Sequence, residues 1–128
     1  MKIEGIEVRC DACGKDLLRP PSGIYAMPET KDGTHLVYFA CKGKCDKKLQ
    51  EQYGWGGWSD LKDLFVPEEY IRRQMSFMNG LRAGDKYEEE SWKKVRAMFM
   101  GAFVSVARES TKEEQERAEA LRNMPDGL

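Results

Sequence analysis

Apolar residues along this chain change rhythm as the sequence proceeds. Two short runs, Ile24-Tyr25-Ala26-Met27 and Thr34-His35-Leu36-Val37-Tyr38-Phe39-Ala40, are rich in β-branched and aromatic side chains and flank a polar stretch containing Asp32-Gly33. That pattern predicts a β-hairpin, with Asp-Gly supplying the turn. From residue 66 the spacing becomes helical. Val66-Pro67-Glu68-Glu69 marks a helix start, because Pro suits the first helical position and acids suit the positive end of the dipole. This helix is expected to run to Asn79-Gly80, with Ile71, Met75 and Met78 at i, i+4 and i+7, and Tyr70, Phe77 and Leu81 widening the stripe. A turn at Leu81-Arg82-Ala83-Gly84 follows, and Asp85 with Glu88 resembles a capping box. The next helix repeats Trp92, Val95, Phe99, Ala102, Phe103 and Val106; its opposite side carries Ala97, Met98, Met100 and Val104, expected to be buried in the monomer or at a homodimer interface. Thr111 and Glu114 form a second capping box for a charged, solvated helix, and Pro125-Asp126-Gly127-Leu128 reads as a disordered tail.

Between the two patterns lies Gly54-Trp55-Gly56-Gly57-Trp58-Ser59-Asp60, whose glycines oppose regular structure, followed by a short helical turn over Leu61 to Phe65. The expectation is an α+β chain in three parts: a small domain over residues 1–54, a Gly/Trp linker over 55–66, and a helical region over 67–128. Trp55 and Trp58 either pin the linker to the core or, with Met98, Met100 and Val104, offer a surface to a partner.

The chemistry is concentrated in Cys10, Cys13, Cys41 and Cys45, spaced C-x2-C, then 27 residues, then C-x3-C. In a reducing compartment two such pairs read as a metal site before they read as disulfides. Four thiolates match one tetrahedral structural Zn2+. Gly14, directly after the second cysteine, suits the tight turn of a zinc knuckle. Cys41 and Cys45 fall on one side of a first helical turn, in a helix expected to end near Tyr53 with Gly54 as its cap. Knuckle, hairpin and helix in this order are the arrangement of a treble-clef zinc finger. His35, the one histidine, is either a hairpin residue near the surface or a ligand in place of one cysteine. Oxidation of the thiolates with release of zinc is a further alternative. Met75, Met78, Met98 and Met100 read as core filling rather than as thioether ligands.

Cys10-x2-Cys13-Gly14, followed by Val37-Tyr38-Phe39-Ala40-Cys41-x3-Cys45 and a Lys-rich helix, resembles the treble clefs of the TRASH, YHS and MYM type and a related zinc-binding ribosomal protein family. The resemblance covers roughly residues 6–54, with Ala40 standing between the aromatic pair and Cys41. It implies a metal-binding architecture and, through the TRASH-like members, metal sensing.

Composition narrows the function. The 128 residues hold 21 Lys+Arg against 22 Asp+Glu, a formal charge of -1, which argues against a dedicated nucleic-acid or membrane-surface binder. No apolar run approaches the roughly 18 residues of a membrane span, and acidic residues stand where a signal peptide carries its apolar stretch, so the expected location is cytoplasmic. Yet residues 1–53 are formally +1 and residues 54–128 formally -2, and Lys15, Lys42, Lys44, Lys47 and Lys48 crowd the cysteines. These lysines either offset the net -2 of a dication with four thiolates or offer a local phosphate-binding face. Four cysteines leave no open coordination position, and none of G-x-x-x-x-G-K-[ST], G-x-S-x-G or H-E-x-x-H occurs, so no enzymatic role is expected. The leading expectation is a structural-zinc interaction module for a protein partner, with nucleic-acid binding and metal or redox sensing as alternatives.

Overall fold

The computed structural model describes residues 6–54, 57–109 and 112–122. The apolar runs meet as predicted: β1 (Ile24–Ala26) pairs antiparallel with β3 (Tyr38–Ala40), placing Ile24 opposite Ala40 and Ala26 opposite Tyr38. All six residues are buried, so neither strand shows the alternation of a half-solvated sheet. The hairpin is closed by a turn in which the Gly33 amide donates to the Thr30 carbonyl at 3.0 Å. Between the two arms, β2 (Thr34–His35) keeps an antiparallel bridge from His35 to Glu29 within the hairpin and pairs on its other side with a later strand.

The segment expected to be a linker is structural. Within its described part, β4 (Ser59–Asp60) pairs antiparallel with the free edge of β1, giving a three-stranded sheet in the order β3-β1-β4. A 3-10 helix over Leu61–Phe65 follows and buries Leu61 and Leu64 completely. The physical reason is spacing: residues three apart eclipse in a 3-10 turn, so both leucines point into the core despite the glycines before them.

Helix α1 (Lys44–Tyr53) ends as expected, with Gly54 left-handed at φ 66° and its amide donating to the Gln50 carbonyl at 2.7 Å. Helix α2 (Pro67–Arg82) starts on Pro67 as expected but continues through Gly80 to Arg82. Tyr70 and Ile71 are buried and Met75 and Phe77 half-buried, whereas Met78 is 61% exposed. Met78 shares Ile71's angular position two turns on, beyond the part of the helix that the core covers.

The start of helix α3 (Glu89–Glu109) corrects the expected capping box. Lys86–Tyr87 forms β5, parallel to β2, with Thr34 opposite Lys86 and His35 opposite Tyr87. Glu88 then caps the helix, its carboxylate accepting from the Glu90 amide at 2.6 Å and from the Ser91 hydroxyl at 3.1 Å. The buried positions of α3 are Ser91, Val95, Met98, Ala102 and Val106, a stripe rotated from the expected one: Met98 lies inside, and Phe103 is 40% exposed. Helix α4 (Lys112–Arg122) exposes Lys112, Glu113, Glu116 and Glu119 and reaches α2 through an Arg117–Glu68 ion pair. Thr111 of the second capping box and the tail over residues 123–128 lie outside the described residues.

One apolar cluster joins Val8, Leu17, Ile24 and Tyr38 from the first half to Leu61, Leu64, Ile71, Val95 and Met98 from the second. Buried residues from both halves of this α+β chain thus share one apolar cluster.

Candidate metal centre

The first cysteine pair sits in a tight turn. The Gly14 amide donates to the Cys10 carbonyl at 2.8 Å and the Cys10 amide to the Lys15 carbonyl at 2.9 Å, with Gly14 at φ 80°. A side chain there would be strained, which is why glycine follows Cys13. The turn is fastened to the hairpin through Asp11: its carboxylate accepts from the Phe39 amide at 2.8 Å, and its own amide donates to the Phe39 carbonyl at 2.8 Å. Because Cys41 directly follows β3, this clamp sets the distance between the two pairs.

The second pair begins α1. Cys41 precedes the helix and Cys45 lies in its first turn, joined through the Asp46 amide, which donates to the Cys41 carbonyl at 3.1 Å. Asp46 is buried beside them and is satisfied by the Tyr38 hydroxyl at 3.3 Å and the Gln50 side-chain amide at 3.0 Å. Burial, reinforced by that carboxylate, pushes the Tyr38 hydroxyl up to about 12.

The four Sγ atoms lie within 4.8 Å of one another, and those of Cys13 and Cys41 are 3.6 Å apart. Tetrahedral zinc with Zn–S near 2.3 Å requires sulfurs about 3.8 Å apart, so the residues present fit the ion. No disulfide joins them. Cys10 is buried and Cys13 exposed, with Cys41 and Cys45 between. Burial opposes ionisation of Cys10, but amides of Cys13, Cys41 and Ala12, at 3.4 to 3.5 Å from its sulfur, outweigh it and bring the thiol down to about 7. Burial, followed by the neighbouring sulfurs, raises Cys45 and pushes Cys41 up to about 12. A dication would replace the protons these thiols hold.

His35 stands outside the group. Its Nε2 faces Glu29 at 3.4 Å and Asp85 at 3.8 Å, and its ring stacks on Tyr87 at 5.0 Å, so it replaces none of the cysteines. Lys15, Lys44, Lys47 and Lys48 are exposed, as a solvent-facing row requires. Lys42 departs from the expected role: it pairs with Asp60 and lies 5.8 Å from the centroid of Trp58. Of the suggested partner surface, Trp58 and Met100 are exposed and Val104 half-buried, but Met98 is core and Trp55 lies outside the described residues. The sequence reading missed Asp11, Asp46 and Ser91, whose partners are supplied by other elements.

No helix among the described residues is long and apolar enough to cross a membrane. Scans against protein-family models, curated proteins and solved structures find no match for the chain.

Proposed function

We propose that the chain is a treble-clef zinc protein in which Cys10, Cys13, Cys41 and Cys45 hold one structural Zn2+ and the remainder serves as a non-catalytic interaction module for a protein partner. The observation that carries this reading is the closed set of four sulfurs within 4.8 Å of one another. Thiolates fill every position of tetrahedral zinc, leaving none for water or substrate, and the ion's binding free energy becomes folding free energy. The order of turn, antiparallel pair and helix supports the treble clef. Exposed Met100 and Phe103 on α3 and Met78 and Leu81 on α2 support a protein partner, since large apolar side chains left in solvent favour contact.

Metal analysis of the purified chain is expected to give one zinc per molecule, and chelation is expected to unfold the cysteine region. A stoichiometry well below one would overturn the reading. For the partner, affinity capture from the native cell with the chain and with a Met100→Asp, Phe103→Asp variant should differ by loss of one specific protein while zinc is retained. Exposure of Lys15, Lys44, Lys47 and Lys48 favours a second reading, phosphate contact with nucleic acid. Its signature is an RNA or DNA complex that weakens steeply as salt is raised; a salt-insensitive null result removes it.

A further inference from the structure

Between β4, α2, β5 and α3 lies a cleft of about 320 Å³, within the size range of small-molecule sites. Tyr25, Trp58, Phe77, Tyr87 and Phe99 give it aromatic walls, among smaller and polar side chains. The Phe77 ring lies 5.1 Å from Tyr87 and 5.8 Å from Phe99, and Trp58, 46% exposed, adds a further indole surface.

Charged groups enter this aromatic space at two places. Arg73 donates from Nη1 to the Ser59 hydroxyl at 3.2 Å, beside the buried Tyr25. The Arg73 guanidinium is incompletely neutralised. Glu69 lies 3.7 Å from its Nε, beyond hydrogen-bond range, and stands closer to Arg72 at 3.0 Å. Two guanidiniums therefore share one carboxylate, and the trio keeps a net positive charge. The second group, Asp85, lies against Gly80, where its carboxylate occupies the space a side chain would need. Gly80 is seven residues beyond Arg73 on α2, a separation of about 10 Å at 1.5 Å per residue.

We propose that this cleft binds a small, flat aromatic acid, with its carboxylate on Arg73, its ring among Phe77, Tyr87 and Trp58, and a hydrogen-bond donor toward Asp85. A planar guanidinium matches a carboxylate in two parallel hydrogen bonds, and aromatic walls reward a flat apolar body. Asp85 repels an anion at the far end and accepts from a donor there, so the two charges fix the direction in which the ligand lies. The inference rests on none of the cysteines and stands whether or not the zinc reading holds.

Indole-3-acetate and the equally shaped, neutral indole-3-acetamide are suitable probes, titrated by NMR into the full chain. Saturable binding of the acid is expected, with the amide about tenfold weaker or more. Arg73→Gln should abolish that preference by weakening the acid alone. Ser76 lines the cleft from an exposed helical position, so Ser76→Phe should fill the space and prevent binding of both probes while the thermal midpoint is preserved. This second variant decides the matter even if Arg73→Gln fails to fold. Equal binding of acid and amide, absence of saturable binding by the acid, or binding that survives Ser76→Phe would each overturn the proposal.

Discussion

Ser91 and Gly23 illustrate how single atoms hold this chain together. Ser91 is buried, and its hydroxyl oxygen accepts the Val37 amide at 2.8 Å across 54 residues of sequence. Ser91→Ala leaves that amide without a partner inside the protein, so a loss of about 1–3 kcal/mol is expected, read as a lower midpoint in urea at unchanged slope. Gly23 has φ 77°, and a Cβ there would stand 2.5 Å from the Ala40 carbonyl oxygen, a backbone atom that cannot swing away. Gly23→Ala should therefore cost about 3 kcal/mol, combining left-handed strain with overpacking. Thermal unfolding of the variant checks it, and a wild-type midpoint would show that the strand beside Gly23 can shift. At this scale the four clustered cysteines were legible in the sequence because two short spacings name them. Ser91 and Gly23 were not, since a serine's acceptor role and a glycine's close neighbour depend on which distant backbone arrives beside them.

Among the elements, the start of α3 has the clearest dependence on solution conditions. The Glu90 amide holds the Glu88 carboxyl below its ordinary value, with partial desolvation opposing and the Ser91 hydroxyl and amide assisting. A carboxyl lowered on folding contributes stability that is present above its unfolded value, about 4.3, and is lost as pH falls through the lower folded value. Glu88→Gln is therefore expected to be less stable than wild type near neutrality and to converge with it in acid, as seen by comparing unfolding midpoints from pH 7 downward. A constant difference at all pH values would assign the effect to packing. Long periodic elements could be read in advance: Pro67 opens α2, and α1 stops at Gly54. Short ones could not. β4 and β5 have two residues each, too few for any alternation to show, and β5 displaced the expected cap from Asp85 to Glu88.

For the whole molecule, the decisive fact is that β1 has a neighbour on each side, β3 from within residues 1–54 and β4 from outside them. A fragment ending at residue 54 lacks β4, Leu61 and Leu64, and so leaves one edge of β1 unpaired and part of the shared core missing. Such a fragment is expected to remain largely unstructured even with zinc supplied, a result that the amide dispersion of its NMR spectrum would establish; a well-dispersed spectrum would restore the independent small domain expected from composition. Composition does not reveal these contacts, because glycines and tryptophans read as a linker in sequence, while pairing with β1 and burial of two leucines are decided at long range. The contacts around α3's first turn have a kinetic consequence. β2 pairs with β5, the Glu88 amide donates to the His35 carbonyl at 3.0 Å, and Lys94 reaches the Asp11 carboxylate at 3.0 Å and the Val37 carbonyl at 3.3 Å. These links close chain loops of 50 residues and more, far longer than the loops closed within the hairpin, and such closure carries the larger entropic cost. In native-state hydrogen exchange the β2–β5 amides should therefore open together as one unit, below the global unfolding energy, while those of β1 and β3 exchange only with complete unfolding.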